Sequence, residues 1–283
     1  MTPLPSSVDD RVYSFVRAVV FLAWALILVL DPLERLADFP VASFEPPGLL
    51  SLLPREVIAA LWTPGTLLGL RLIGAALCLA AAAERLSLVV APAACIVVYL
   101  YQTVVRGFGY VNHSEIQLLL AASLLAAFAL ADRIAADRSP ASLAERRAFP
   151  FAAVAILIAF TYFGSGLNRL ISFGPSGILD GSLALYMIEV SAWDSIYPFE
   201  LASAALQWIP MPLVNMSFLA VTLVEISAPA CLFSRRARNL ILPALVAFHL
   251  STFLLMKIIF IEQLLLLALF WTDLPARLVH RRV

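Results

Sequence analysis

The sequence predicts an all-α fold: a polytopic helical membrane bundle of about eight spans, with interfacial helices in two long outer loops. Three observations carry this expectation. Hydrophobic residues make up 62% of the 283 positions and charged residues 13%, against about a quarter charged in soluble domains. Mean hydropathy is +0.94, more apolar surface than one soluble core of this size can bury. The apolar residues also gather in runs of roughly twenty, the length a bilayer core requires.

The first eleven residues, MTPLPSSVDDR, lack the basic region and small-residue cleavage site of a signal peptide. The run at about 12–31 is therefore expected to remain as a span. Further runs follow at about 65–84, 86–105, 114–131, 149–171 and 213–233. The last, 239–272, has 34 residues and would make a helix of about 51 Å, too long for a core of about 30 Å. Lys257 and Glu262 interrupt it. A hairpin with its apex near Lys257 keeps Arg277, Arg281 and Arg282 on the side of the arginine clusters at 133–147 and 235–238, as the positive-inside bias requires. Eight spans with both termini cytoplasmic follow, and residues 1–283 are expected to form a single transmembrane domain.

The outer connections, 32–64 and 172–212, are rich in Trp, Tyr and Pro, a composition suited to interfacial or re-entrant helices that cover a site or dock a partner protein. Nineteen basic and nineteen acidic residues cancel, so net charge points to no partner, and no nucleic-acid partner is expected. Cys78, Cys95 and Cys231 lie in apolar runs without a C-x-x-C pair, so neither a disulfide nor a metal clip is expected. The absence of an internal repeat, with few ionisable groups in the inner half, ranks a transporter below the other readings.

Under this topology the rare ionisable groups gather in the outer half. His113 and Glu115 begin span four, Arg169 ends span five beside Asn168, and Tyr162 lies about 10 Å deeper. His249 is about 12 Å below the apex, Glu225 is near mid-membrane, and Arg71 is roughly two turns below the outer surface. A charge within the bilayer costs about 2.5–3.5 kcal/mol on insertion scales and calls for a partner or a wet cavity. Arg71 with Glu225, and Lys257 with Glu262, are the candidate pairs, with helix tying as their purely structural role. Arg17 is expected to snorkel to the inner surface, and His280 to be solvated in the basic tail. His113 has a capping role as its structural alternative. Histidine exchanges protons near neutral pH, which makes His113 and His249 candidate catalysts, with Glu115 and Glu225 setting their charge.

Three segments, NHSEIQLLLA at 112–121, YFGSGLNRL at 162–170 followed by DGSLALYM at 180–187, and FHLSTFLLMKIIFIEQLLLLALF at 248–270, resemble the vitamin K-dependent gamma-carboxylase family. Its membrane domain is shared with bacterial relatives, the horizontally transferred transmembrane (HTTM) proteins, and the resemblance covers most of the chain. It implies a helical domain in the bacterial cytoplasmic membrane, a site open to the outer side, and a reduced quinone as cofactor. His113 and His249 match the family's Asn-His-Ser and Phe-His-Leu histidines. The family's catalytic lysine position falls on Arg169. A guanidinium stays protonated, so Arg169, with Asn168, Tyr162 and Arg71, is suited to binding an oxygen-rich group rather than to taking a proton. Gamma-carboxylation is therefore not expected. The leading expectation is an enzyme acting on or with a quinone, isoprenoid or other lipid-like substrate. The alternative is a non-catalytic lipid-binding or anchoring subunit of a membrane complex.

Overall fold

The computed structural model describes residues 4–83, 87–107, 113–135, 139–180, 208–256 and 260–280. Among them every regular element is a helix. In chain order these are α1 (Asp10–Leu30), α2 (Arg55–Leu61), α3 (Pro64–Ala82), α4 (Ser87–Arg106) and α5 (His113–Ile134). They continue as α6 (Pro140–Leu179), α7 (Met211–Ile226), α8 (Arg235–Met256), α9 (Ile261–Phe270) and α10 (Leu274–His280). Two compact units result, one of residues 7–150 with 274–283, the other of residues 151–273 with 1–6.

In the first unit, the Asp9 carboxylate accepts the Val12 amide at 2.9 Å and so satisfies a donor that the first turn of α1 leaves without a partner. Val16, Val20, Phe21, Trp24 and Leu28 recur at three- and four-residue spacing and are buried, making the face that packs α1 on α3. α3 packs in turn on α4, and α4 on α5. Between α1 and α3 the chain makes 3-10 turns at Leu33–Asp38, Val41–Ser43 and Gly48–Leu52 and then the seven-residue α2. At the start of α6, Arg147 meets Asp132 at 3.0 Å and Asp10 at 2.9 Å, so one guanidinium joins three helices. One expectation is corrected here: Arg17 is buried at 6% exposure rather than extended to a surface. His280 is exposed, as expected, and lies 3.1 Å from the Asp9 carboxylate.

The second unit departs from the sequence boundaries in three places. α6 extends to Leu179, past the expected end at 171, and is interrupted at Gly174, whose φ of 64° and ψ of 169° lie in a region open essentially to glycine. The run at 213–233 is not one α-helix. Pro229 has no amide hydrogen, and its ring would clash with the Glu225 carbonyl, so α7 stops at Ile226 and a 3-10 turn, Ala228–Leu232, follows. The run at 239–272 is divided between α8 and α9, with Phe260 outside helical geometry at φ −105° and ψ 54°. Lys257 lies outside the described residues, and so does its expected pairing with Glu262. Residues 181–207, which hold most of the second outer loop and its expected lid, also lie outside them.

Among the described residues, six helices, α1, α3, α4, α5, α6 and α8, are long and apolar enough to cross a membrane. α7 and α9 are apolar but shorter, with 16 and 10 residues. At 1.5 Å per residue these two are about 24 Å and about 15 Å long, below the thickness of a bilayer core.

Candidate functional site

Tyr162 and Arg169 are seven residues apart on α6, two helical turns, so they share one face about 10 Å apart. Each meets a polar group from another helix of the second unit. The Tyr162 hydroxyl lies 2.5 Å from Nε2 of His249 on α8. The Gln263 side chain on α9 lies beside the same tyrosine. His249 and Gln263 would be about 21 Å apart along one straight helix, so their meeting at one tyrosine requires the chain to bend between α8 and α9. Tyr162 and His249 are each 5% exposed and Gln263 4%.

Aromatic rings enclose this trio. The His249 ring centroid lies 5.1 Å from those of Phe248 and Phe260, and Tyr162 lies 6.5 Å from Trp271. Trp271 is held in turn by its indole N–H on the Ala155 carbonyl at 3.3 Å. Such walls exclude water and strengthen each polar contact within them. Two buried atoms of the cluster, Nδ1 of His249 and Oε1 of Gln263, have no hydrogen-bond partner among the described residues. Most buried polar atoms are satisfied, so two open valences beside one hydroxyl are chemically informative.

Two turns along α6, the second pair forms. Arg169 Nη1 donates to Glu225 Oε2 at 2.5 Å and to the Thr222 hydroxyl at 3.1 Å, and its guanidinium carbon lies 5.0 Å from the Phe218 ring centre. Thr222 donates its own proton to the Phe218 carbonyl, which leaves its oxygen free to accept from Arg169. Phe218, Thr222 and Glu225 recur at four- and three-residue spacing, so one stripe of α7 makes all three contacts. Gly166 permits this approach. A Cβ there would meet the Thr222 carbonyl oxygen at 2.9 Å and the Glu225 Cβ at 3.0 Å.

Of the expected site residues, Tyr162, His249, Arg169 and Glu225 thus form two cross-helix pairs. The expected Arg71–Glu225 pairing is replaced. Glu225 is committed to Arg169, while Arg71, in the other unit, ion-pairs with Glu34 at 3.1 Å and donates to the Asp31 carbonyl at 3.1 Å. The Tyr101 hydroxyl hydrogen-bonds the Asp31 carboxylate, so Arg71 and Tyr101 together clamp the segment after α1. Asn168 is exposed and one residue off the Tyr162–Arg169 stripe, rotated about 100° from it. Glu115, also in the first unit, accepts from Gln102 Nε2 at 2.5 Å, and Gln102 accepts from Arg106 at 3.3 Å. His113 opens α5, but its side chain lies outside the described residues, as does Asn112.

The sequence reading missed Gln263, Thr222, Gly166 and the aromatic walls. Only Gln263 carried a usable signal, as an amide inside the apolar run IEQLLLLALF. The architecture is that of a helical protein with membrane-type spans and a buried tyrosine–histidine–glutamine cluster. Comparison with protein-family models, curated proteins and solved structures finds no match.

Proposed function

We propose that this chain is an HTTM-type integral membrane enzyme that acts on or with a quinone, isoprenoid or other lipid-like substrate, entering from the outer leaflet. The observation that supports this reading is the buried Tyr162–His249 hydrogen bond with two open valences around it. A phenol and an imidazole in direct contact can relay a proton, and an imidazole can take one from a substrate hydroxyl or return it. Gln263 Oε1 can accept from that hydroxyl while His249 Nδ1 exchanges its proton. This is chemistry for an oxygen-bearing ring or alcohol delivered from hydrocarbon. Arg169 contributes less as an anion holder than its charge suggests, because Glu225 neutralises it; its role here is to hold α6 on α7 beneath the reacting groups.

In this reading α7 and α9 form the helical parts of the two remaining membrane segments, eight in all, in the bacterial cytoplasmic membrane, with both termini cytoplasmic and the short helices of the outer loops in the interface. Turnover of menaquinone or extracted lipids by the full-length chain, followed by mass spectrometry, tests it. Tyr162→Phe and His249→Gln are expected to abolish product while the protein elutes as the wild type does. Unchanged turnover in both excludes the assigned roles. The neutral Arg169–Glu225 pair favours a second reading, a non-catalytic lipid-binding or anchoring subunit, in which such pairs only tie helices. Stoichiometric co-purification of one partner protein, undisturbed by His249→Gln, would select it.

A further inference from the structure

The first unit contains a cavity of about 170 Å³ that plays no part in the reading above. Phe44, Leu53, Ile58 and Trp62 line it from the α1–α3 connection, Leu70 from α3 and Leu100 from α4. Apart from Thr66 and the indole N–H of Trp62, the lining side chains are apolar, and the Thr66 hydroxyl lies 2.9 Å from that of Thr63. Phe44 is fixed in the wall by two contacts. Its ring lies 4.7 Å from that of Trp62 and packs where Gly107 has no side chain, and the next residue, Glu45, donates its amide to the Gly107 carbonyl at 2.8 Å.

The chemistry of the walls defines the occupant. A dry apolar cavity of about 150 Å³ holds benzene, so this one has room for a hydrocarbon segment of about six carbons. Its lining offers only the Thr66 hydroxyl and the Trp62 indole N–H as hydrogen-bonding side-chain groups, few for an oxygen-bearing ring. The cavity lies where α3 begins and α4 ends. Consecutive spans run in opposite directions, so both of these ends reach the same membrane surface. The connection that lines the cavity also exposes Leu52 at 77%, Leu61 at 50% and Val57 at 41%, apolar groups that hydrocarbon would cover. Arg55 is exposed one turn before Ile58 on the same face of α2, placing a cation where a phosphate would lie.

We propose that this cavity binds the acyl chain of one membrane phospholipid, with the phosphate beside Arg55. The site rests on residues different from those of the Tyr162–His249 cluster, so either assignment can fail alone. Trp62 supplies the reporter. Phosphatidylglycerol brominated along one acyl chain, added to the full-length chain in neutral detergent, is expected to quench Trp62 fluorescence saturably, with Trp62→Phe giving the background. The same lipid without bromine should reverse the quenching. Leu70→Phe and Leu100→Phe fill the cavity from different helices and should each raise the half-saturating concentration about tenfold. Arg55→Ala should raise it about threefold. Quenching that does not saturate, that is unchanged in whichever filling variants elute as the wild type does, or that an isoprenoid quinone reverses while the unlabelled phospholipid does not, would overturn the assignment.

Discussion

Tyr162 and His249, 87 residues apart in the chain, share a 2.5 Å hydrogen bond in the interior of one helical unit. Removing one partner leaves a buried polar group unsatisfied, at a cost of about 1–3 kcal/mol, whereas replacing both with apolar groups is nearly neutral. Tyr162→Phe and His249→Phe are therefore expected to lower the thermal midpoint singly, and the double variant to recover most of the loss. Additive losses would mean that the hydrogen bond contributes nothing.

The Arg169–Glu225 pair obeys a similar asymmetry, and because both groups carry charge the energies are larger. Glu225 is 2% exposed, and Glu225→Gln leaves the Arg169 guanidinium without its counter-charge. Breaking a buried pair from one side costs about 3–5 kcal/mol, while exchanging both partners for apolar residues of similar volume is often neutral. The folded yield of Glu225→Gln in detergent should fall sharply, and Arg169→Met with Glu225→Met should restore it. A folded yield of Glu225→Gln equal to the wild type would show that the pair is dispensable.

Helix separation is tested by two glycines two residues apart. A Cβ at Gly166 would sit 2.9 Å from the Thr222 carbonyl oxygen, a backbone atom that cannot step aside, whereas one at Gly164 has nothing within 4 Å. Gly166→Ala should cost about 1–3 kcal/mol by overpacking. Gly164→Ala should stabilise by about 0.5–1 kcal/mol through the better helical propensity of alanine. Thermal unfolding of the two variants should move in opposite directions; movement in the same direction would contradict the close packing of α6 on α7.

Gly174 interrupts α6 with a φ of 64°. An alanine there either holds this conformation at a cost of about 1–3 kcal/mol or lets the helix run straight. Gly174→Ala should lower the thermal midpoint or raise helical content measured by circular dichroism. The absence of both changes would place the interruption elsewhere.

How much of the fold and site was legible in the sequence depends on what each feature requires. Spans were legible because apolar density is a property of consecutive residues. The division of 239–272 was legible from Lys257, Glu262 and the arginine bias, and α8 and α9 appear on either side of it. The end of α7 was not, although Pro229 stands in the sequence, because residues 228–233 remain apolar through the 3-10 turn that follows. His249 drew attention as one of only three histidines. Gln263 did not, because the charged Glu262 beside it dominated the reading, yet one residue rotates a side chain by about 100° and it is Gln263 that meets Tyr162.

Composition and run length by themselves determined a helical protein with membrane-type spans, since a chain this apolar can satisfy its backbone in lipid only by closing hydrogen bonds within each segment. Opposite charges on different helices suggested Arg71 with Glu225, although nothing in the sequence sets that pair against Arg169 with Glu225. The tertiary structure chose between them. Which side chains meet depends on how each helix is rotated about its axis and how closely its neighbour approaches, and both are set by packing between segments, here by the bare surface of Gly166 against α7.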